Sequence, residues 1–223
     1  MASLTEVVQE SIRQSIIACE LRPGQVVTAA ELAAQYECSA TPIREALRAL
    51  TQDRLVRPIP RLGYRVLPIA LKDIVEIFTL RQRLEELAAE LAARNGSEKD
   101  LRELYDLVTL DKADEEDIPF EDFKWRNRAF HIGIAQASGN ARLVRMLRPL
   151  LHELDRLYNL GVDFSSSLSW MKEDHDHLAR ALVDRDAELA ARLAGQHITE
   201  TKDEIFRVIS TVGGRGLQLY SGD

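Results

Sequence analysis

Apolar residues recur three and four positions apart along most of this chain, the period of helices that bury one face. Over residues 5–20, Val7, Val8, Ile12, Ile16 and Ile17 form one such stripe, which Pro23 and Gly24 interrupt. A short second helix carries Leu32 and Tyr36 behind a capping box of Thr28 and Glu31, each side chain satisfying a backbone N–H at the helix start. A third has Pro42 in its first turn, where a missing N–H costs nothing, with Ile43, Ala46, Leu47 and Leu50 on one side and Arg44 and Arg48 on the other. The period then changes. Residues 56–58 and 64–66 flank 59–63 as a small hairpin with Arg61 and Gly63 at its tip. Short helices, a tight turn, an Arg-bearing helix and a basic hairpin describe a winged helix-turn-helix.

From residue 71 the pattern is helical almost throughout, with no strand signal. A helix over 71–94 carries Ile74, Ile77, Phe78, Arg81, Leu84, Leu87, Ala88 and Leu91 down one side. Further helices are expected over 97–113, 120–138, 141–160, 165–183 and 186–211, with stops at Asn95 and Gly96, Gly139 and Asn140, and Gly161. Residues 111–117 read as an acidic, solvated connector, and the Gly-rich end as a mobile tail. Pro68 discourages helix in the residue before it and marks the boundary. The expected fold is mostly α: a winged helix-turn-helix domain with a small β wing over 1–68, and an all-α helical bundle over 69–223.

Composition divides the chain in the same way. Apolar content of 45% indicates a folded globule, and no apolar run approaches the roughly 20 residues that span a bilayer. The first residues form an amphipathic stretch of mixed charge rather than a signal peptide. Two cysteines suggest a reducing compartment, the cytoplasm. Net charge is −7, yet residues 1–69 carry eight Arg against seven acidic groups. The acidic excess therefore lies beyond them, and screening over about 8–10 Å makes it tolerable to a DNA-binding partner domain.

Residues 38–66 hold Arg44, Arg48, Arg54, Arg57, Arg61 and Arg65 against Glu45 and Asp53. Arginine without lysine suits forked contacts to phosphates and guanine edges. A purely structural helical hairpin is the alternative on shape alone, and the charge pattern argues against it. The run SATPIREALRAL followed by RLGYRV resembles the DNA-binding domain of the GntR family of bacterial transcription regulators. The resemblance implies that Ser39, Thr41 and Arg44 face double-stranded operator DNA, and that Gly63 lets the wing approach the minor groove. Arg48 and Arg61 join them as basic contacts. Ala40 stands where the family usually has Arg. Glu37 stands where a Gly usually makes the turn, so that turn must accept a Cβ.

The histidines suggest a second site. Asn127 and His131 lie one turn apart, so an amide oxygen and an imidazole can converge on one ion. His175 and His197 fall on the final two helices, where an antiparallel pair can turn both inward. Three imidazoles and one oxygen suit a divalent transition metal such as Zn²⁺ or Ni²⁺. His177, two positions from His175, points elsewhere. On spacing alone, hydrogen-bonded core or surface histidines explain the pattern more often than a metal does.

Residues 71–211 resemble the FCD effector domain of the FadR-type branch of the same family. That resemblance implies Asn127, His131, His175 and His197 as metal ligands, with Asn127 in place of the commoner Asp. It also implies a small organic acid effector whose carboxylate completes the coordination. Arg81 matches a pocket-facing Arg on the domain's first helix; the alternative is an exposed pair with Glu85. A two-fold operator requires two linked heads, so a homodimer is expected. The rival reading is a metal-dependent hydrolytic enzyme built on the histidine cluster, although no carboxylate stands one turn from a ligand in a HExxH-like arrangement.

Overall fold

A computed structural model describes residues 3–113, 120–159 and 168–212. The chain divides into two compact units, one gathering the residues up to Leu71 with the last turn of the seventh helix, the other running from Lys72 to Leu154 with the final two helices.

The first unit holds α1 (Leu4–Ile17), β1 (Val26–Val27), α2 (Ala29–Gln35), α3 (Ala40–Gln52), β2 (Val56–Ile59) and β3 (Gly63–Val66). Ser3 and Glu6 form a capping box at the start of α1, and Thr28 and Glu31 form the expected one on α2. The apolar stripe of α3 is fully buried at Ile43, Ala46, Leu47 and Leu50, and meets Ile12 and Ile16 of α1 in one core. The turn between α2 and α3 places Glu37 at φ 51°, the left-handed conformation anticipated for a residue in a glycine's position.

The sheet has one strand more than the expected hairpin. β3 lies in the middle, in the order β1-β3-β2, with Val27 opposite Tyr64 and Arg57 opposite Arg65. Gly63 has φ 121°, and a Cβ there would run into the backbone carbonyl of Val27. Its missing side chain therefore serves the close approach of β1 to β3, whatever it permits at DNA.

The second unit holds α4 (Leu71–Asn95), α5 (Glu98–Ala113), α6 (Phe120–Ala137), α7 (Ala141–Asn159, whose last turn belongs to the first unit), α8 (Leu168–Val183) and α9 (Ala187–Val212), with no strand among the described residues. α8 packs between α5 and α9, and α5 also packs on α6. The acidic connector begins later than expected, since Asp111, Lys112 and Ala113 continue α5; its remainder, the expected helix start at 165–167 and the Gly-rich tail lie outside the described residues.

The buried face of α4 holds Ile74, Ile77, Phe78, Arg81 and Ala88 as expected and differs at the leucines. Ala88, Ala89, Ala92 and Ala93 are buried, as are Arg81 and Glu85. Leu80 and Leu87 are 52% and 42% exposed, and Leu84 and Leu91 are half-buried. Small side chains let neighbouring backbones come close, so the alanine face wins the interior and the leucines form a stripe of their own.

Candidate metal centre and nucleic-acid interface

His131 on α6, His175 on α8 and His197 on α9 converge inside the helical unit. Each is no more than 3% exposed, and one ligand nitrogen from each lies within 4.8 Å of the others. His175 Nε2 and His197 Nε2 are 3.2 Å apart. Two nitrogens bound to one tetrahedral zinc at about 2.05 Å stand about 3.3 Å apart, so the spacing matches a shared ion. Phe130 closes one side, its ring centroid 4.6 Å from that of His175. His177 is exposed, as its position two residues on requires.

The donor set is underused as it stands. Asn127 Oδ1 and His131 Nε2 are buried without a hydrogen-bond partner. Buried polar groups left unmade cost about 1–3 kcal/mol each. Asn127 shares a helix face with His131 by its one-turn spacing, so its orphaned oxygen and the three imidazoles fit a divalent ion of the Zn²⁺ or Ni²⁺ kind.

Arg81 and Glu85 form a buried pair beside this cluster. Arg81 Nε donates to Glu85 Oε1 at 2.6 Å, while Glu85 Oε2 lies 2.5 Å from His131 Nδ1, off the direction a ring N–H takes. Arg81 is thus both paired with Glu85 and 2% exposed, which corrects the choice between a surface pair and a pocket residue. Burial pushes Glu85 up, but Arg81 and His131 outweigh it and hold the carboxyl at about 2. Burial lowers His131 below the ordinary imidazole range despite Glu85, and lowers His175 further, with His197 and His131 adding to the effect. Neutral imidazoles are the ligand form.

Two carboxylates near the histidines escaped the sequence reading. Glu85 was visible only as a helix partner of Arg81. Asp174 Oδ2 lies 3.3 Å from His197 Nδ1, a contact across α8 and α9 that no local spacing announces. Burial and the neighbouring Asp174 push Glu200 above its usual range.

In the first unit, Ser39, Thr41, Arg44 and Arg48 are all exposed on the first turns of α3, opposite its buried stripe. Ser39 caps α3 without a side-chain hydrogen bond, leaving its hydroxyl unused by the helix. Acidic neighbours are engaged elsewhere: Glu45 accepts from Thr5 Oγ1 at 3.0 Å, and Asp53 pairs with Arg13 at 2.6 Å. At the wing tip Arg61 is exposed at φ 66°, and Leu62 N donates to Ile59 O at 3.1 Å. Leu62 itself is 61% exposed, an apolar tip that the sequence reading passed over.

Comparison with known proteins agrees with both halves. Residues 4–66 match the family model "Bacterial regulatory proteins, gntR family", and residues 76–200 match the FCD domain. A repressor of Escherichia coli, GlaR, is 27% identical over 202 residues, covering 84% of this chain and 89% of that protein. A probable D-xylose utilization operon repressor of Paenarthrobacter nicotinovorans is 31% identical, covering 86% and 84%. The solved structure of E. coli McbR/YncC superposes with a TM-score of 0.79 at 26% identity, over 93% of this chain and 99% of that one. The family and these relatives are transcription regulators, not enzymes, and nothing among them supports the hydrolase reading. Among the described residues no helix is long and apolar enough to cross a membrane. The chain belongs to the GntR family of DNA-binding bacterial transcription regulators, in the group that carries an FCD domain.

Proposed function

We propose that this regulator is controlled by a small organic acid bound at a metal site in its helical domain, residues 69–223, and binds a two-fold operator through its winged domain, residues 1–68. The observation that carries the reading is the meeting of three buried imidazoles from three helices, with a buried, unpartnered amide oxygen one helical turn before the first of them. His131, His175, His197 and Asn127 hold the ion, Zn²⁺ or Ni²⁺. All four are neutral, so the bound ion supplies an electrophilic centre that favours an anionic ligand. Arg81, paired with Glu85 and close enough for its charge to act on His131, is the cation that would favour a carboxylate.

On DNA, Ser39, Thr41, Arg44 and Arg48 meet the major groove, and Arg61 with the Gly63 turn meets the backbone beside it. The working form is a homodimer in the cytoplasm. The leucines of α4 support it: Leu80, Leu84, Leu87 and Leu91 recur at four, three and four positions, the spacing of a helix seam. Effector binding that favours one dimer geometry shifts the population competent for DNA.

A thermal-shift screen of organic acids on the Zn²⁺-loaded protein, followed by mobility shift on operator fragments, tests the reading. The expected result is a stabilising acid that changes operator affinity and loses its effect after chelation. An acid that acts equally well without metal would detach the effector from the ion.

A further inference from the structure

Resting on the metal reading above, we propose that Glu85 and Asp174 are positioning residues that hold His131 and His197 in the tautomer protonated at Nδ1, so that each presents the Nε2 lone pair to the ion. The two contacts come from different helices and are independent. Glu85 Oε2 stands 2.5 Å from His131 Nδ1, and Asp174 Oδ2 stands 3.3 Å from His197 Nδ1. Neither carboxylate belongs to the set of mutually close ligand atoms, so both sit behind their imidazoles.

The chemistry fixes the direction of each contact. A carboxylate oxygen 2.5 Å from a ring nitrogen favours a proton over a lone pair there, and a small turn of the His131 ring would align an N–H at Nδ1 with Glu85. That leaves Nε2 of His131 as the nitrogen able to ligate, and it has no other hydrogen-bond partner. For His197 the same assignment turns Nε2 toward His175 Nε2, 3.2 Å away. Arg81 holds Glu85 by its other oxygen at 2.6 Å, so the carboxylate is itself oriented. A carboxylate behind a ligating imidazole raises the basicity of the ligand, and losing it commonly weakens metal binding by about 10–100-fold. Here the backing charge stands in for charge that Asn127 does not bring as a ligand.

Glu85→Gln has a defined consequence. Its oxygen would serve Arg81, and its NH₂ would face His131 Nδ1. That donor requires a lone pair on Nδ1 and moves the proton to Nε2, where it blocks ligation. Asp174→Ala removes the acceptor behind His197, whereas Asp174→Asn keeps an acceptor oxygen without the charge. Glu86→Gln, next along α4 and paired with Arg83, changes the net charge equally and touches neither histidine.

The test measures Zn²⁺ affinity by competition with a chromophoric chelator on the full chain, and histidine tautomers by long-range ¹H–¹⁵N correlation on the metal-free protein. Expected are Nδ1–H tautomers for His131 and His197 in the wild type and about 10–100-fold weaker binding in Glu85→Gln and Asp174→Ala. Asp174→Asn should recover part of the loss, and Glu86→Gln should bind like wild type. Should Glu85→Gln fail to fold, the Asp174 pair decides the matter. Variants that bind Zn²⁺ within about twofold of wild type, or wild-type rings protonated at Nε2, would overturn the proposal and leave the metal reading standing. A wild-type chain that takes up neither Zn²⁺ nor Ni²⁺ would remove both.

Discussion

His175 and His197, 22 residues apart on adjacent helices, face each other Nε2 to Nε2 at 3.2 Å, while His177 on the same α8 is exposed. This contrast makes the first prediction a paired one. Zn²⁺ at about a hundredfold over Kd should stabilise the wild type by about 2.7 kcal/mol, a rise of roughly 5–10 °C in Tm. His175→Ala should abolish the rise and His177→Ala should keep it. Differential scanning fluorimetry after chelation and re-addition checks both, and an equal response from the two variants would detach the effect from this cluster.

The second prediction concerns acid. His131 and His175 have folded values below the unfolded 6.5, so in the metal-free protein the unfolded state binds more protons once pH drops below about 6.5. Stability is therefore full above that pH and is lost as pH falls. Glu85, held at about 2 against 4.5, adds a further loss between about 4.5 and 2. Melting of chelated protein from pH 7.5 to 4 should show a falling Tm from the first window onward. A flat profile between pH 7 and 5 would mean that these imidazoles are not buried as neutral groups.

At the DNA interface Arg44 and Arg61 should separate by kind of contact. Arg44→Ala removes a side chain early in α3 and should cost about 1–3 kcal/mol of operator binding while relaxing sequence preference. Arg61→Ala should weaken all sequences alike and reduce the salt slope by about one. Titrations at several salt concentrations distinguish them; full affinity in Arg44→Ala would remove that residue from base readout.

Gly63→Ala should destabilise the winged unit whether or not DNA is present. The positive φ and the Val27 carbonyl together imply a loss of about 1–3 kcal/mol or more. Chemical denaturation of the free protein measures it. An unchanged midpoint would mean that β1 does not pair with β3 as described.

The leucine stripe of α4 yields the dimer prediction. Leu80→Glu combined with Leu87→Glu leaves the alanine face untouched and should give monomers by light scattering at micromolar concentration, with operator affinity falling in step. A persistent dimer would place the interface elsewhere.

The same helix shows how far the sequence could be read. Its existence and length followed from periodicity, as did the burial of Ile74, Ile77, Phe78, Arg81 and Ala88; Leu84, Leu87 and Leu91 did not follow, because leucines and alanines both recur at helical spacing and packing chose the smaller set. The winged unit was more legible: capping at Thr28 and the buried stripe of α3 are local features that carry their own geometry. β1 was not legible, since two residues make a strand only through their pairing with β3. At the metal centre, one-turn spacing linked Asn127 to His131, the expected antiparallel pairing of the last two helices added His175 and His197, and the family resemblance joined the four as one ligand set. Glu85 and Asp174 reach their histidines across helix pairs, and no spacing within one helix encodes such a contact.

The register of the wing has a consequence for the free protein. Arg57 and Arg65 stand directly opposite on β2 and β3, and Arg65 Nε is buried without a hydrogen-bond partner. Like charges in a cross-strand pair oppose the sheet by up to about 1 kcal/mol. The unbound wing thus carries its own repulsion, and an anion laid along it would relieve that cost while being bound. Part of any affinity of the wing for a phosphate backbone would then be a release of tension already built into the folded sheet.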